Sequence, residues 1–262
     1  MGTIIEAIEA GFSINGQPLL KEITMEIEDG AAIAITGANG SGKSSLIKLL
    51  AGMSEPQRGE VRRNFSSYAY VPEHFPEHLS FTVRRYLALL AEMGTSAEAV
   101  SVYTRMFDLD PFLDTPLKKC SKGTKQKAGF IQALLKNGDV LFLDEPFTGM
   151  DEKAIRTAMD LLRQQKGKKT IIFAVHETEL AAELATHAAV LDNGRLLSLS
   201  PVQPTARTME ITYEMDENKL GATPVAERLY RIMAEEAVSD QRIGDILKHG
   251  GHIIGVKKGD QR

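Results

Sequence analysis

The chain has 262 residues, with 31 Lys+Arg against 35 Asp+Glu for a formal charge of −4, and 43% of its residues are hydrophobic. That balance belongs to a globular chain long enough for one large domain with an appendage, and it excludes bulk attraction to nucleic acid or anionic lipid as the main business. One cysteine, Cys120, excludes an intrachain disulfide framework and fits a reducing compartment.

Residues 3–12 and 19–27 are rich in β-branched side chains and flank Asn15-Gly16, which predicts a hairpin. After the Asp29-Gly30 turn, residues 31–36 read as a short buried strand. It ends in a Gly-rich loop, followed by a helix over 43–51 that Gly52 closes. Residues 60–65 and 67–71 are two more short strands. The middle is helical. Thr82 can cap a helix in which Val83, Tyr86, Leu87 and Leu90 share a face. A second helix over 96–109 is cut off by Pro111, and Ser121 opens a third running towards Gly138.

Alternation returns from Asp139, with strands at 140–143 and 170–175 and helices at 151–165 and 177–185. Ile155, Ala158, Met159 and Leu162 form the buried stripe of the first of these helices, and Asn193-Gly194 turns a final hairpin. Strands alternating with helices imply an α/β fold with a largely parallel sheet, to which the early strands add an antiparallel layer. The longest apolar runs, 31–35 and 171–175, are too short to cross a bilayer, so a membrane span is expected from another polypeptide. The start, Met1-Gly2-Thr3-Ile4-Ile5-Glu6, lacks the shape of a signal peptide.

Ser200-Pro201 and Pro204 mark a boundary, which places one domain at 1–200, with a helical subdomain over about 80–137, and an extension at 201–262. The extension predicts a small β-α-α-β unit. It would have a strand at 209–213, a helix opened by Thr223-Pro224 with Val225, Leu229, Ile232 and Met233 on its apolar face, a short helix at 243–247 and a strand at 252–256. Lys257-Lys258 is expected to be a solvated tail.

Gly37-Ala38-Asn39-Gly40-Ser41-Gly42-Lys43-Ser44 matches G-x-x-x-x-G-K-[ST] at every fixed position, between a strand and a helix. Glycines let the backbone wrap and aim its N–H groups at phosphate oxygens, and the helix points its positive end at the same anion. Lys43 can reach the β- and γ-phosphates, and the Ser44 hydroxyl can ligate Mg²⁺. Ser45 continues the loop into the helix. A second apolar strand ends in Asp144-Glu145, where Asp144 could hold Mg²⁺ and Glu145 could polarise an attacking water.

The order of these pieces resembles the ATP-binding cassette (ABC) ATPase family. Cys120-Ser121-Lys122-Gly123-Thr124-Lys125-Gln126-Lys127 is similar to the family signature L-S-G-G-Q-x-[QK]-[RK], and Pro146-Phe147-Thr148-Gly149-Met150-Asp151 to the P-x-[ST]-G-L-D run that includes the D-loop. Tyr70-Val71-Pro72-Glu73 stands where the Q-loop belongs, and His176 ends a strand as the family's switch histidine does. The resemblance implies a P-loop core with an antiparallel β-subdomain and an inserted helical subdomain. It implies ATP and Mg²⁺ as ligands, with Ser44, Glu73 and Asp144 around the metal and Lys43, Glu145 and His176 as catalytic residues. It implies head-to-tail dimers, in which Ser121 and Gly123 of one subunit face the nucleotide held by residues 37–45 of the other and Asp151 links the two sites. It also implies a separate transmembrane permease, with this chain cytoplasmic and peripheral at the membrane's inner face, and no nucleic-acid partner.

Departures from the pattern sharpen the reading. Glu73 replaces the usual Gln, Lys122 the first signature Gly, and Thr124 the signature Gln. Glu73 and Ser-Lys-Gly resemble a subset of bacterial cassettes, many of them exporters. Ile14 falls where an aromatic adenine platform is expected; Phe12, two residues earlier, either substitutes or is ordinary core, and the core reading is preferred, which implies poor selectivity between ATP and GTP. His74, Glu77 and His78 are rejected as a metal site because Pro76 interrupts them. Cys120 is taken as a variable signature position. The resemblance implies that the region of Phe75, Leu79 and Phe81 receives a helix of the membrane partner; Phe75 and Leu79 are the better candidates for a partly exposed docking patch, and for Phe81 core packing stays an alternative. The leading expectation is a transporter ATPase, of the exporting kind. The alternative is an ATP-switched regulatory or soluble ABC ATPase not coupled to transport.

Overall fold

Asn15 and Gly16 take positive φ angles of 50° and 78°, the backbone that a tight two-residue hairpin requires, and join β1 (Thr3–Ile14) to β2 (Gln17–Glu28). The computed structural model describes residues 2–76, 79–92, 96–176, 178–202, 208–215, 220, 222–226 and 228–258. β3 (Ala32–Thr36) runs through the glycine loop into α1 (Lys43–Leu50). β4 (Arg58–Arg63) then returns to pair antiparallel with β1, completing a three-stranded sheet of order β2-β1-β4.

β5 (Tyr68–Val71) leads into a helical excursion of α2 (Val83–Glu92), α3 (Ala97–Met106) and α4 (Lys122–Lys136). Thr82, Ser96 and Ser121 each accept backbone N–H bonds at the start of these helices, as cap residues do. β6 (Val140–Asp144), α5 (Glu152–Gln165), β7 (Thr170–Ala174), α6 (Thr178–Leu184), β8 (His187–Asp192) and β9 (Arg195–Pro201) follow. The resulting six-stranded sheet has the order β5-β6-β7-β3-β8-β9 and is parallel except where β9 turns back on β8.

The period-two geometry of the central strands divides the core. Ile33, Ile35, Val140, Phe142, Ile172 and Ala174 face the layer made by α1 and the antiparallel sheet. Ala32, Ala34, Leu141, Leu143, Ile171 and Phe173 face the helical layer, where Phe130, Ala158 and Leu162 meet them. Burial of each large apolar side chain contributes about 1.5–3 kcal/mol. The rigid sheet fixes the strand ends that carry the site.

The chain divides into two compact units, Met1–Gln203 and Pro204–Arg262. The elements of the second are β10 (Thr208–Glu214), β11 (Thr223–Ala226), β12 (Leu229–Glu235), α7 (Glu236–Lys248) and β13 (His252–Lys258), in a sheet of order β11-β12-β10-β13. The helix predicted from Thr223-Pro224 is instead two strands. Tyr230, Ile232 and Ala234 alternate on β12 and stand opposite Tyr213, Ile211 and Met209. Pro224 lies in the edge strand β11, where its missing donor breaks no ladder. The unit is therefore β-β-β-α-β, and the short predicted helix is the end of the longer α7. Lys257 and Lys258 belong to β13, and Lys257 Nζ lies 3.2 Å from Glu210 Oε1, so they are not a free tail.

Candidate active site

Gly37 has φ 150°, and a Cβ there would stand 2.1 Å from the carbonyl oxygen of Leu191 on β8, so glycine alone lets the loop pass that strand. At the other end of the loop, Gly42 caps α1 in a left-handed conformation. No side chain caps this helix and no acid stands in its first turn, which leaves its positive end suited to an anion. The Ser41 hydroxyl is buried without a hydrogen-bond partner. Asn39 and Gly40 form the exposed tip, while Ser45 is half-buried on α1.

Lys43 is buried and donates from Nζ to the carbonyls of Gly37 at 3.0 Å and Ala38 at 3.4 Å. Ser44 Oγ donates to Asp144 Oδ1 at 3.0 Å, joining the start of α1 to the end of β6. Tyr70 at the end of β5 donates to the other oxygen of Asp144 at 3.4 Å. Burial raises the Asp144 pKa, the Ser44 bond opposes this, and the charge of Glu73 adds to it. Burial, followed by the Asp144 charge, also raises Tyr70.

Glu145 is buried and adopts φ 47° just past the strand end. Its Oε1 receives no aligned hydrogen bond, yet His176 Nε2 lies 3.1 Å and Lys43 Nζ 3.8 Å from it. Burial raises its pKa; His176 and then Lys43 oppose the rise, and the charges of Asp144 and Glu73 add to it. A buried carboxylate with an orphaned oxygen, beside a lysine that also serves the phosphate loop, is placed to take a proton from a water.

Among the described residues no three His, Cys, Asp or Glu side chains cluster as a self-sufficient metal cage. The Ser44–Asp144 pair instead offers two oxygens, the arrangement Mg²⁺ uses when phosphate and water complete its shell. The orphaned Ser41 hydroxyl and the uncapped end of α1 fit the phosphates of such a complex. Glu73 is part-exposed, with an oxygen 3.7 Å from His74 Nδ1, and reaches the two acids through its charge.

Ser121, Gly123 and Asp151 form a second group at the starts of α4 and α5. The Ser121 hydroxyl lies 2.8 Å from that of Thr124, which is buried in the first turn of α4. Asp151 caps α5 through Ala154 N and accepts from Lys127 Nζ at 2.6 Å, which lowers its pKa. Gly123 packs so closely on the loop before α5 that a Cβ would sit 2.1 Å from Gly149 O.

The expectation of an exposed Phe75 is overturned. Phe75 is 7% exposed and stacks edge-on against Tyr86 at 5.3 Å, Leu79 is partly buried, and Phe81 is the exposed ring at 44%. Phe12 is half-buried against the core and Ile14 is half exposed. Burial raises the Cys120 thiol rather than activating it. Glu77 and His78 lie outside the described residues.

Tyr70 and Gln126 were not singled out from the sequence as site residues. The available signal for Gln126 was its spacing: Gly123, Gln126, Phe130 and Ala133 share one face of α4, and a long amide among small and apolar residues needs partners.

A parallel sheet that presents a glycine loop after one strand and two acids at the end of another, with a histidine at the end of the strand between, defines a P-loop nucleoside triphosphatase. The ABC transporter family model matches residues 20–148. The hemin import ATP-binding protein HmuV of Rhodopseudomonas palustris (strain BisB18) is 34% identical over 223 residues, 75% of this chain and 82% of that protein. YthP of Bacillus subtilis (strain 168), an uncharacterised ABC transporter ATP-binding protein, is 30% identical over 75% of this chain and 86% of its own length. A solved ATP-binding subunit of an ABC transporter superposes with a TM-score of 0.68 at 28% identity, covering 76% of this chain and 90% of that one. The dimeric post-hydrolysis state of the cassette MJ0796, bound to ADP and Pi, shares the fold with a TM-score of 0.67 at 19% identity, over 76% of this chain and 99% of that one. The chain belongs to the ABC transporter family: it is an ATP-binding subunit of the ATPase type. Among the described residues no helix is long and apolar enough to cross a membrane.

Proposed function

We propose that this chain hydrolyses MgATP with Glu145 as general base and that its turnover drives a separately encoded transmembrane permease, with the chain held at the cytoplasmic face of the membrane through that partner. The observation that carries the reading is the buried Oε1 of Glu145, flanked by His176 at 3.1 Å and Lys43 at 3.8 Å. Lys43 and the first turn of α1 bind the phosphates, with residues 37–45 forming the loop. Ser44 and Asp144, with Glu73 nearby, hold Mg²⁺, which when bound neutralises phosphate charge. Glu145 takes the proton of the attacking water, and His176 contacts the γ-phosphate.

Ser121, Gly123 and Asp151 serve a second copy of the chain. Ser121 and Gly123 stand at the start of α4, whose first turn carries no acid, Asp151 stands at the start of α5, and the MJ0796 cassette is a dimer in its ADP and Pi state. Phe12 packs as core, so base stacking is weak and ATP and GTP are turned over comparably.

The test is steady-state hydrolysis over a range of protein concentrations. Specific activity per chain is expected to rise as dimers form, and Glu145→Gln to retain ATP binding while losing turnover. Full-speed hydrolysis by a verified monomer would overturn the paired-site reading. Glu73 and Ser121-Lys122-Gly123 favour export, whereas the hemin-import relative favours uptake. Cargo flux into or out of vesicles carrying the co-purified permease decides between them.

A further inference from the structure

We propose that Gln126 is a positioning residue for hydrolysis: its buried amide ties α4 to the peptide carbonyls beside Glu73 and of Glu145, and so fixes where both carboxylates stand. Gln126 is 2% exposed, and its Nε2 donates to Pro72 O at 3.2 Å and to Glu145 O at 3.4 Å. One neutral side chain thus joins the helix that begins at the signature to the two segments bearing the acids.

The need for such a tie follows from the backbone. Pro72 has no N–H, so its carbonyl is the only backbone hydrogen-bonding group that this residue itself offers. Glu145 sits at φ 47°, a conformation an L-residue holds only when its surroundings impose it. Its N–H donates to Ala174 O at 3.2 Å, and its carbonyl accepts from Thr148 N at 3.2 Å as well as from Gln126. Phe75 packs on the same face of α4, where a Cβ at Gly129 would come within 3.2 Å of its ring, and the amide is shielded from water. In that setting a lost donor is not replaced by solvent, and displacement of a base by about 1 Å lowers turnover by about 100-fold.

The inference rests on Glu145 being the general base, and the experiment separates the two. Gln126→Met keeps length and removes both donors; Gln126→His keeps a ring N–H. Glu145→Gln and the double variant Gln126→Met/Glu145→Gln complete the set. ATP affinity, kcat and Tm are measured for each in the full chain. Gln126→Met is expected to lower kcat by about 10- to 100-fold with ATP affinity within about twofold of the parent. Gln126→His should recover part of kcat, and the double variant should be slower than Glu145→Gln by less than about twofold, because both changes act through one group.

Parent-like kcat for Gln126→Met overturns the proposal. So does a loss of kcat matched by equal loss of ATP affinity, or a double variant in which the two losses multiply; either marks packing alone. Should Gln126→Met fail to fold, the split between kcat and affinity in Gln126→His decides. Normal turnover by Glu145→Gln removes the base assignment itself, whereas an inactive Glu145→Gln beside a fully active Gln126→Met removes only the role of Gln126.

Discussion

The imidazole of His176 stands 3.1 Å from the carboxylate of Glu145, each just beyond the end of a neighbouring parallel strand. The sheet register delivers this pairing, since Asp144 lies opposite Ala174 and each functional side chain follows shortly after. Burial penalises the charge on Glu145, and His176 and Lys43 beside it partly oppose that penalty. That opposition is what the proposed role of Glu145 as general base calls for.

Replacing Glu145 with Gln keeps the shape and removes the proton acceptor. Hydrolysis is expected to fall by about 100- to 10,000-fold, with ATP affinity near that of the parent. Single-turnover kinetics and equilibrium nucleotide binding read the two quantities separately. Normal turnover would take Glu145 out of the role.

The pH profile follows from the same shift. Glu145 titrates above the ordinary glutamate value of 4.5, so the acid limb of kcat/KM should lie above it. His176→Ala removes the group that most opposes the rise, and the limb should move to still higher pH. A carboxyl whose folded pKa exceeds its unfolded value stabilises the fold only below the unfolded pKa, and this is lost as pH rises through the folded one. Glu145→Gln should therefore raise Tm at neutral pH and leave it unchanged in acid. Thermal melts at both pH values test this; a lower neutral Tm contradicts it.

The strands, the glycine loop and the acid pair were legible because each is local: spacing along the chain states which backbone or strand end is needed. Burial of Phe75 was not. Its flanking prolines and charges suggest exposure, and only α4, with a glycine at position 129, makes room for the ring. The strands at 223–235 were misread because Val225, Leu229, Ile232 and Met233 satisfy a helical stripe, whereas Tyr230, Ile232 and Ala234 satisfy alternation against β10. Tertiary pairing chose between two patterns that coexist in one segment. Tyr70 and Gln126 owe their importance to partners 74 and 19 residues away.

Ser44 and Tyr70 grip opposite oxygens of Asp144, at 3.0 Å and 3.4 Å. Ser44→Ala removes a candidate metal ligand and should raise the Mg²⁺ concentration for half-maximal hydrolysis by about 10- to 100-fold. Tyr70→Phe removes only the longer outer bond and should produce the smaller shift of the two. Titration of Mg²⁺ at saturating ATP measures both, and equal shifts would refute the ranking.

The burial of Phe75 and the exposure of Phe81 give a paired test of docking. Phe75→Asp buries a charge in the helical layer and should destabilise the fold by about 3–5 kcal/mol. Phe81, exposed at 44%, tolerates the same change within about 0.5 kcal/mol, and Phe81→Asp should weaken co-purification with the membrane partner while nucleotide binding persists. Unaltered assembly by Phe81→Asp would place the contact elsewhere.

Gly123 joins the first turn of α4 to the loop before α5, and backbone opposes any side chain there: a Cβ would meet Gly149 O at 2.1 Å and its carbonyl carbon at 3.1 Å. Neither atom is the end of a flexible side chain, so Gly123→Ala must force the two elements apart. A loss of about 1–3 kcal/mol is expected, read as a lower Tm. The Lys127–Asp151 contact clamps the same two elements at 2.6 Å, but the Asp151 side chain is 58% exposed. Lys127→Ala should therefore lower Tm less than Gly123→Ala does, because a partly solvated pair is weakened by water while a backbone clash is not. Reversal of that order would mean that the charge pair, rather than close backbone packing, holds the start of α4 against the start of α5.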